Sequence, residues 1–414
     1  MPGSRDMTDA SDTAWDQGPP PKVLVYCHDS VGIGHIRRSL NICERLGRHY
    51  PEASFLLATG TPYVQLLNRV PRLDTIKLPA LTKVENGLYR SKYLALPTDR
   101  LMHCRENMLL QVAQDFEPDI LLVDKAPLGV CRELVPTLRW LRDNRPMTRI
   151  IFGMRDIEDD ATATIDLWDR DGVPEILESC FDEIWVYGMR EVFDVAAEYR
   201  LSAGVRRKLH FMGYVCPSPC DHPPALRSSP RKIVVTVGGG TDGENVLDAY
   251  LAHAARRLAT LGIASTLIGG PDLPAAAAGR LRAESAAIPG VEWLEFEPCM
   301  SCQFRAADLV VSMGGYNTMC ELAGHGRPAV IIPRTRPRRE QAIRARLWES
   351  RCPLRTLLPE ELTPQRLTQT VESMLCNSKQ RGAPALDLGG LDQVVQRFGC
   401  IWFTETRCAP ALPV

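Results

Sequence analysis

The residues best suited to chemistry lie between Asp308 and Arg346. An apolar strand there runs into Ser312-Met-Gly-Gly315, and a helix opens near Tyr316–Asn317. Gly314 and Gly315 let the backbone turn sharply and approach a ligand with no Cβ in the way. The free N–H groups and positive dipole end of the helix then face one space, which suits a diphosphate. Asn317 and Thr318 add hydrogen-bonding side chains in the first turn. Glu321 follows Asn317 by four residues and so shares its helix face. A carboxylate there can accept from both hydroxyls of a ribose. Gln341, beyond the next strand, carries an amide that both donates and accepts, as sugar hydroxyls require.

A second glycine-rich turn, Gly238-Gly239-Gly240-Thr241-Asp242-Gly243, follows the apolar run Lys232–Val237. It is the first strand-to-helix turn of the second half, where phosphate is expected, so Gly239, Gly240 and Thr241 join the candidate donor set. No Gly-Lys-Ser/Thr follows, and the GxGxxG spacing is missing, which sets aside Walker-type and nicotinamide sites. Near the N-terminus, Gly32 and Gly34 form a flexible turn and His35 stands at the mouth of the first helix. Imidazole is the side chain best suited to move a proton near neutrality. Asp29, Asp124 and Asp156 each offer a carboxylate partner, and the sequence leaves the three equivalent. With Gly32 and Gly34, Asp124 and Arg155 make up the candidate acceptor-side loops. The acidic residues between Gly153 and Asp160 lack metal-ligand spacing. Arg37, Arg38 and the run Arg334–Arg339 read as solvated basic faces, with a grip on phosphate as the alternative.

These side chains need a scaffold, and the hydrophobic pattern supplies one. Short β-branched runs alternate with helical stretches: Val23–Cys27, Ser54–Ala58, Asp119–Val123, Arg149–Phe152, Glu183–Tyr187 and Leu209–Tyr214 in the first half, and Lys232–Val237, Ala264–Ile268, Val291–Leu294, Asp308–Ser312, Pro328–Ile332 and Leu354–Leu357 in the second. Helices are expected at His35–Arg48, Glu244–Leu258, Glu340–Glu349 and Leu391–Phe398. Continuous apolar strands alternating with helices imply parallel sheets covered on both faces. The expected architecture is α/β, with two doubly wound, Rossmann-like domains at 21–214 and 231–380. A proline-rich linker at 215–230 joins them. Residues 1–20 read as a disordered tail and 381–414 as a short helix with a poorly patterned end.

A net charge of -1 argues against nucleic acid as a partner. No apolar run approaches the roughly 20 residues that span a bilayer, and the first residues lack a signal-peptide core. Fourteen cysteines, among them Cys27, Cys43, Cys131 and Cys320 within apolar segments, fit a reducing, cytoplasmic setting. Cys299 and Cys302, with Cys216, Cys220 and His222, could supply metal ligands. One group lies in the linker and the other in a loop of the second domain, so no metal is expected.

The stretch SMGGYNTMCELAGHGRPAVIIPRTRPRREQAIRA resembles the donor-binding segment of GT-B glycosyltransferases related to the peptidoglycan N-acetylglucosaminyltransferase. It is more similar still to a branch of bacterial glycosyltransferases with little characterisation. The resemblance covers about 21–375 and is strongest at 23–40 and 308–345. It implies a GT-B fold, with the two domains facing across a cleft. Ser312 to Thr318 would then hold the diphosphate, Glu321 the ribose and Gln341 the sugar, with the base near Phe296. The Gly-x-Gly-His pattern ending in His35 matches the acceptor-side loop of that family, making His35 the base or an acceptor-positioning residue. Where the family has Asn-Ala after the glutamine, this chain has Arg344-Ala345, which leaves the donor sugar open.

The implied activity is inverting, metal-independent transfer of a hexosyl or N-acetylhexosaminyl group from a UDP-linked sugar to an acceptor hydroxyl. No cofactor is implied beyond that co-substrate. The acceptor would be a glycan, a lipid-linked glycan or a small natural product, and a lipid-linked one would bring peripheral membrane contact. Sugar-nucleotide epimerases or hydrolases of the same fold, and non-catalytic nucleotide-sugar binders, are the rival readings.

Overall fold

The computed structural model describes residues 20–28, 34–61, 64, 70–85, 88–217, 220, 222, 231–376 and 385–406. Gly32, Asp29, the tail at 1–19 and most of the expected linker lie outside these residues.

Among the described residues, nine strands come from the first half: β1 (Lys22–Cys27), β2 (Ser54–Thr59), β3 (Leu73–Lys77), β4 (Leu81–Glu85), β5 (Leu88–Ser91), β6 (Ile120–Asp124), β7 (Arg149–Arg155), β8 (Glu183–Tyr187) and β9 (Leu209–Phe211). Seven of them form a parallel sheet in the order β3-β2-β1-β6-β7-β8-β9, while β4 and β5 pair as a separate hairpin. The second half gives β10 (Lys232–Thr236), β11 (Ala264–Ile268), β12 (Val291–Leu294), β13 (Leu309–Ser312), β14 (Ala329–Ile331) and β15 (Leu354–Thr356). Their order is β12-β11-β10-β13-β14-β15, again parallel. Every residue of β6 and of β13 is buried, as strands covered on both faces by helices should be.

This topology dictates where ligands go. In each sheet the chain winds outward from its first strand, then crosses back to start on the other side. The crossover separates β1 from β6, with Cys27 opposite Asp124, and β10 from β13, with Thr236 opposite Ser312. Loops leaving the carboxyl ends of such strand pairs diverge and open a crevice. His35 and Asp124 sit at the first crevice, and the two glycine turns sit at the second.

The domains face each other through buried polar contacts. Tyr316 donates its hydroxyl to the Tyr187 carbonyl at 2.9 Å and accepts from the Val215 amide at 3.0 Å. Arg344 makes two 2.7 Å hydrogen bonds to Asp156, with both side chains almost wholly buried.

Three features depart from the sequence expectation. The edge strand β3 and the β4–β5 hairpin were unforeseen: Leu-Asp-Thr-Ile-Lys is half polar because an edge strand needs little cover. The last helix runs over Gly390–Thr406, well past Phe398, and packs on Gly34–His49 of the first domain. Gly399 breaks the apolar pattern there because a Cβ would lie 2.6 Å from the Tyr50 hydroxyl, so the approach of Tyr50 at this point requires glycine. Tyr50 also donates to the Val395 carbonyl at 3.1 Å, and Arg397 pairs with Glu183. Finally, Cys220 and His222 of the expected linker meet Cys299 and Cys302, two groups whose distance along the chain argued against their meeting. Cys27, Cys43 and Cys320 are buried as expected, whereas Cys131 is exposed.

Candidate active site

A cavity of about 240 Å³ lies between the two crevices. On the second-domain side its wall includes Gly239, Gly240 and Thr241 after β10, Ser312 at the end of β13 and Gly315 after it. Asn317, Thr318 and Glu321 enter from the helix Tyr316–Gly324, and Gln341 from the helix Glu340–Trp348. The N–H groups of Tyr316, Asn317 and Thr318 lack intrahelical acceptors by helix geometry, and the N-cap residue, Gly315, has no side chain to cap them.

Gly314 differs from its expected role. Its φ is +74°, and an added Cβ would stand 2.8 Å from Ile331 Cγ2, so it shapes the turn against β14 and does not line the cavity. Gly315 has open space at its Cβ position and faces the cavity. The two therefore separate by mutation. Gly314→Ala should cost about 2 kcal/mol through the left-handed conformation and the Ile331 contact. Gly315→Ala should leave stability within about 0.5 kcal/mol. Urea midpoints of the two variants check this.

Gln341 accepts the Arg334 backbone N–H through Oε1 at 3.0 Å, which fixes its amide and leaves the NH2 to donate. Arg334, also at the cavity, is held by Asp242 and Glu340, each at 3.1 Å. Arg338 lies 3.8 Å from Glu158, and the Arg339 N–H donates to Asp159 at 2.7 Å. The arginine run thus interlocks with the acidic loop after β7 across the domain boundary. Read as a solvated basic face, it proves to be a clasp. Asn317, expected to address phosphate, here donates from Nδ2 to the Gly34 carbonyl at 2.8 Å and so also bridges the domains.

Glu321 is 8% exposed. Burial raises its pKa to about 7, against a smaller pull from Arg37 and with a small push from Cys220.

Across the cavity, His35 keeps 18% of its side chain open, with Nδ1 3.2 Å from Asp124 Oδ2. Arg38 grips the other carboxylate oxygen with two hydrogen bonds, at 2.9 and 2.7 Å. Its Nη2 also lies 3.1 Å from His35 Nδ1. A guanidinium only donates and a carboxylate only accepts. A proton on Nδ1 directed at Asp124 Oδ2 satisfies an oxygen that has no other partner among the described residues, and leaves the Nε2 lone pair available. Enclosure lowers the His35 pKa to about 4, with Asp124 opposing and Arg38 assisting. Burial disfavours the ionised Asp124, but Arg38 and His35 outweigh it and hold the carboxyl below its usual value.

Of the two candidate partners among the described residues, Asp124 is therefore the one beside His35, and Asp156 is committed to Arg344. Arg344, at the position that departs from the related pattern, is an interdomain strut. Arg155 lines the cavity with Glu158 3.9 Å and Glu340 4.0 Å away. Arg38, read from sequence as a solvated residue, is 1% exposed. Lys125, which follows Asp124 and lies 3.3 Å from Glu158, was missed altogether. Its position directly after a strand's carboxyl end was the available signal.

Residues 234–388 match the Glycosyltransferase family 28 C-terminal domain. The chain is similar to the UDP-N-acetylglucosamine--N-acetylmuramyl-(pentapeptide) pyrophosphoryl-undecaprenol N-acetylglucosamine transferase of Saccharopolyspora erythraea, 29% identical over 143 residues, covering 34% of this chain and 36% of that one. The matched segment thus spans about a third of the length of such relatives. Among solved structures, a putative UDP-N-acetylglucosamine 2-epimerase from Listeria monocytogenes aligns over 95% of this chain and 100% of its own, with a TM-score of 0.62 and 13% identity. The glycotransferase of kitacinnamycin aligns over 94% and 99%, with a TM-score of 0.58 and 16% identity. The chain has the GT-B fold, and its second half matches the glycosyltransferase family 28 C-terminal domain over residues 234–388.

Proposed function

We propose that this protein transfers a hexosyl or N-acetylhexosaminyl group from a UDP-linked sugar to an acceptor hydroxyl, with inversion. The observation that carries this reading is the meeting, in one interdomain cavity, of two glycine turns, Glu321 and a His35–Asp124 pair. The diphosphate lies against the amides after β10 and β13, the ribose on Glu321 and the sugar near Gln341. Phe296, which lines the same cavity, marks the place of the base.

His35 Nε2 takes the acceptor hydroxyl proton as that oxygen attacks the anomeric carbon. The bond from that carbon to the phosphate oxygen breaks, and its electrons leave with the nucleoside diphosphate. Asp124 stabilises the imidazolium, while the helix amides with Arg334 and Arg155 offset charge growing on the leaving group. No metal ion takes part in the proposed step. Among the described residues no helix is long and apolar enough to cross a membrane. The proposed setting is cytoplasmic, with peripheral membrane contact for a lipid-linked acceptor.

A second reading has a specific observation behind it: Asp242, Glu297, Glu321 and Glu340 all line the cavity, and an epimerase needs carboxylates at the sugar. One experiment separates the two. Purified protein is incubated with UDP-sugars, with and without an acceptor panel, and products are read by mass spectrometry and NMR. Acceptor-dependent release of UDP with a glycosylated product supports transfer. A C2 epimer formed from the donor alone supports epimerisation and sinks the transfer reading.

A further inference from the structure

Four side chains that the cavity chemistry leaves unused converge at its edge. Cys220 and His222 follow the first domain, while Cys299 and Cys302 flank the start of the helix Met300–Ala306. One ligand atom from each of the four lies within 4.8 Å of all the others. Cys302 Sγ is 3.3 Å from both Cys220 Sγ and Cys299 Sγ, and all three are free thiols. We propose that Cys220, His222, Cys299 and Cys302 bind one Zn²⁺ as a tetrahedral Cys3His site that fastens the interdomain connection to the second domain.

The donor set is the first reason. Three thiolates and one imidazole select zinc over hard cations, and four protein ligands mark a closed, structural site. Geometry is the second. A Zn–S bond of about 2.3 Å places tetrahedral sulfurs about 3.8 Å apart, so the present spacing opens by about half an ångström to admit the ion. Charge is the third. Three thiolates around a dication leave one negative charge, and Arg305 stands ready to offset it. Its Nη2 is 3.5 Å from Cys220 Sγ and 3.8 Å from Cys302 Sγ, and donates to the His222 carbonyl at 2.8 Å. Such outer contacts are what orient metal ligands.

Packing gives no competing account of the cluster. The three cysteines are only partly buried and His222 is exposed, so no apolar core gains from gathering them. Thiol–thiol hydrogen bonds are weak. A metal instead closes the loop between residues 82 positions apart. The neighbouring Met300 and Glu297 line the cavity, and Glu297 accepts the Cys299 N–H at 2.8 Å. The ion would thus steady that wall, whatever ligand the cavity takes.

The test is metal content. Untagged protein purified without chelator under reducing, anaerobic conditions should carry about one zinc per chain by elemental mass spectrometry. Exchange with Co²⁺ should give the visible and near-ultraviolet bands of a tetrahedral thiolate site. Cys220→Ser and Cys302→Ser should each lower zinc to about a tenth of an equivalent or less, while Cys104→Ser, at an exposed cysteine remote in sequence, keeps the full equivalent. His222→Ala, an exposed position that leaves folding intact, should lose its metal faster to a chelator. Wild-type protein without zinc and without cobalt bands would overturn the proposal. So would a Cys299–Cys302 disulfide that, once reduced, still takes up no metal, or zinc undiminished in both serine variants.

Discussion

Glu321→Gln should make the protein harder to unfold at pH 8 and poorer at holding a nucleotide. Burial of the carboxylate raises its pKa to about 7, above the unfolded value of 4.5. Between those values the folded state binds more protons than the unfolded state, so stability falls as pH rises through the window. The penalty is absent below about pH 4.5 and complete above about pH 7, and its size is about 3 kcal/mol. A neutral amide of the same shape escapes it. The urea midpoint of the variant should therefore exceed wild type at pH 8 and match it near pH 4.5.

Binding should move the other way. Charge-assisted hydrogen bonds are worth about 1.5–3 kcal/mol each, so loss of the carboxylate should weaken UDP binding by about 10- to 100-fold, read by calorimetry. Wild-type affinity should also rise with pH up to about 8, as Glu321 ionises, and the variant should show no such slope. A residue that costs stability and repays it in binding is what a functional carboxylate in an apolar wall looks like. Equal midpoints at pH 8 would refute the burial argument, and unchanged UDP affinity would refute the ribose contact.

Much of this arrangement was legible in the chain. Lys-Ile-Val-Val-Thr and Ile-Leu-Leu-Val-Asp each hold an unbroken apolar run because their strands are covered on both faces, and a parallel sheet follows from that. Parallel strands with helical crossovers then put Glu321, Gln341 and His35 at strand carboxyl ends, and the structure brings all three to one cavity. What sequence could not show was pairing between distant elements. Arg38 looks solvated beside Arg37 on a helix, yet one turns inward to Asp124 and the other toward the Pro298 carbonyl. Arg344 reads in the sequence as a change in sugar recognition, yet it is held by Asp156, 188 positions away. Cys220 and Cys302 are likewise joined only by tertiary structure. Charge and ligand types are local facts, but their partners are set by how two sheets dock.

Replacing His35 should leave nucleotide binding within about twofold and lower turnover by about 10²- to 10⁴-fold, the range for loss of a general base. The separation follows from position: His35 faces the cavity from the first domain, whereas the proposed ribose contact and most of the proposed diphosphate contacts lie in the second. His35→Asn retains a polar group and so tests proton transfer with little change in shape. Asp124→Asn is less clean, because it leaves Arg38 buried beside an uncharged partner. The pH profile adds a second check. Enclosure keeps His35 neutral down to about pH 4 in the free protein. With donor saturating, so that Glu321 no longer governs binding, kcat/KM for the acceptor should stay level between pH 8 and pH 6. A fall through the ordinary histidine value of 6.5 would mean that the imidazole is solvated. A His35→Asn variant with wild-type turnover would remove the base from the mechanism, and the proton would then need another acceptor on the first-domain wall.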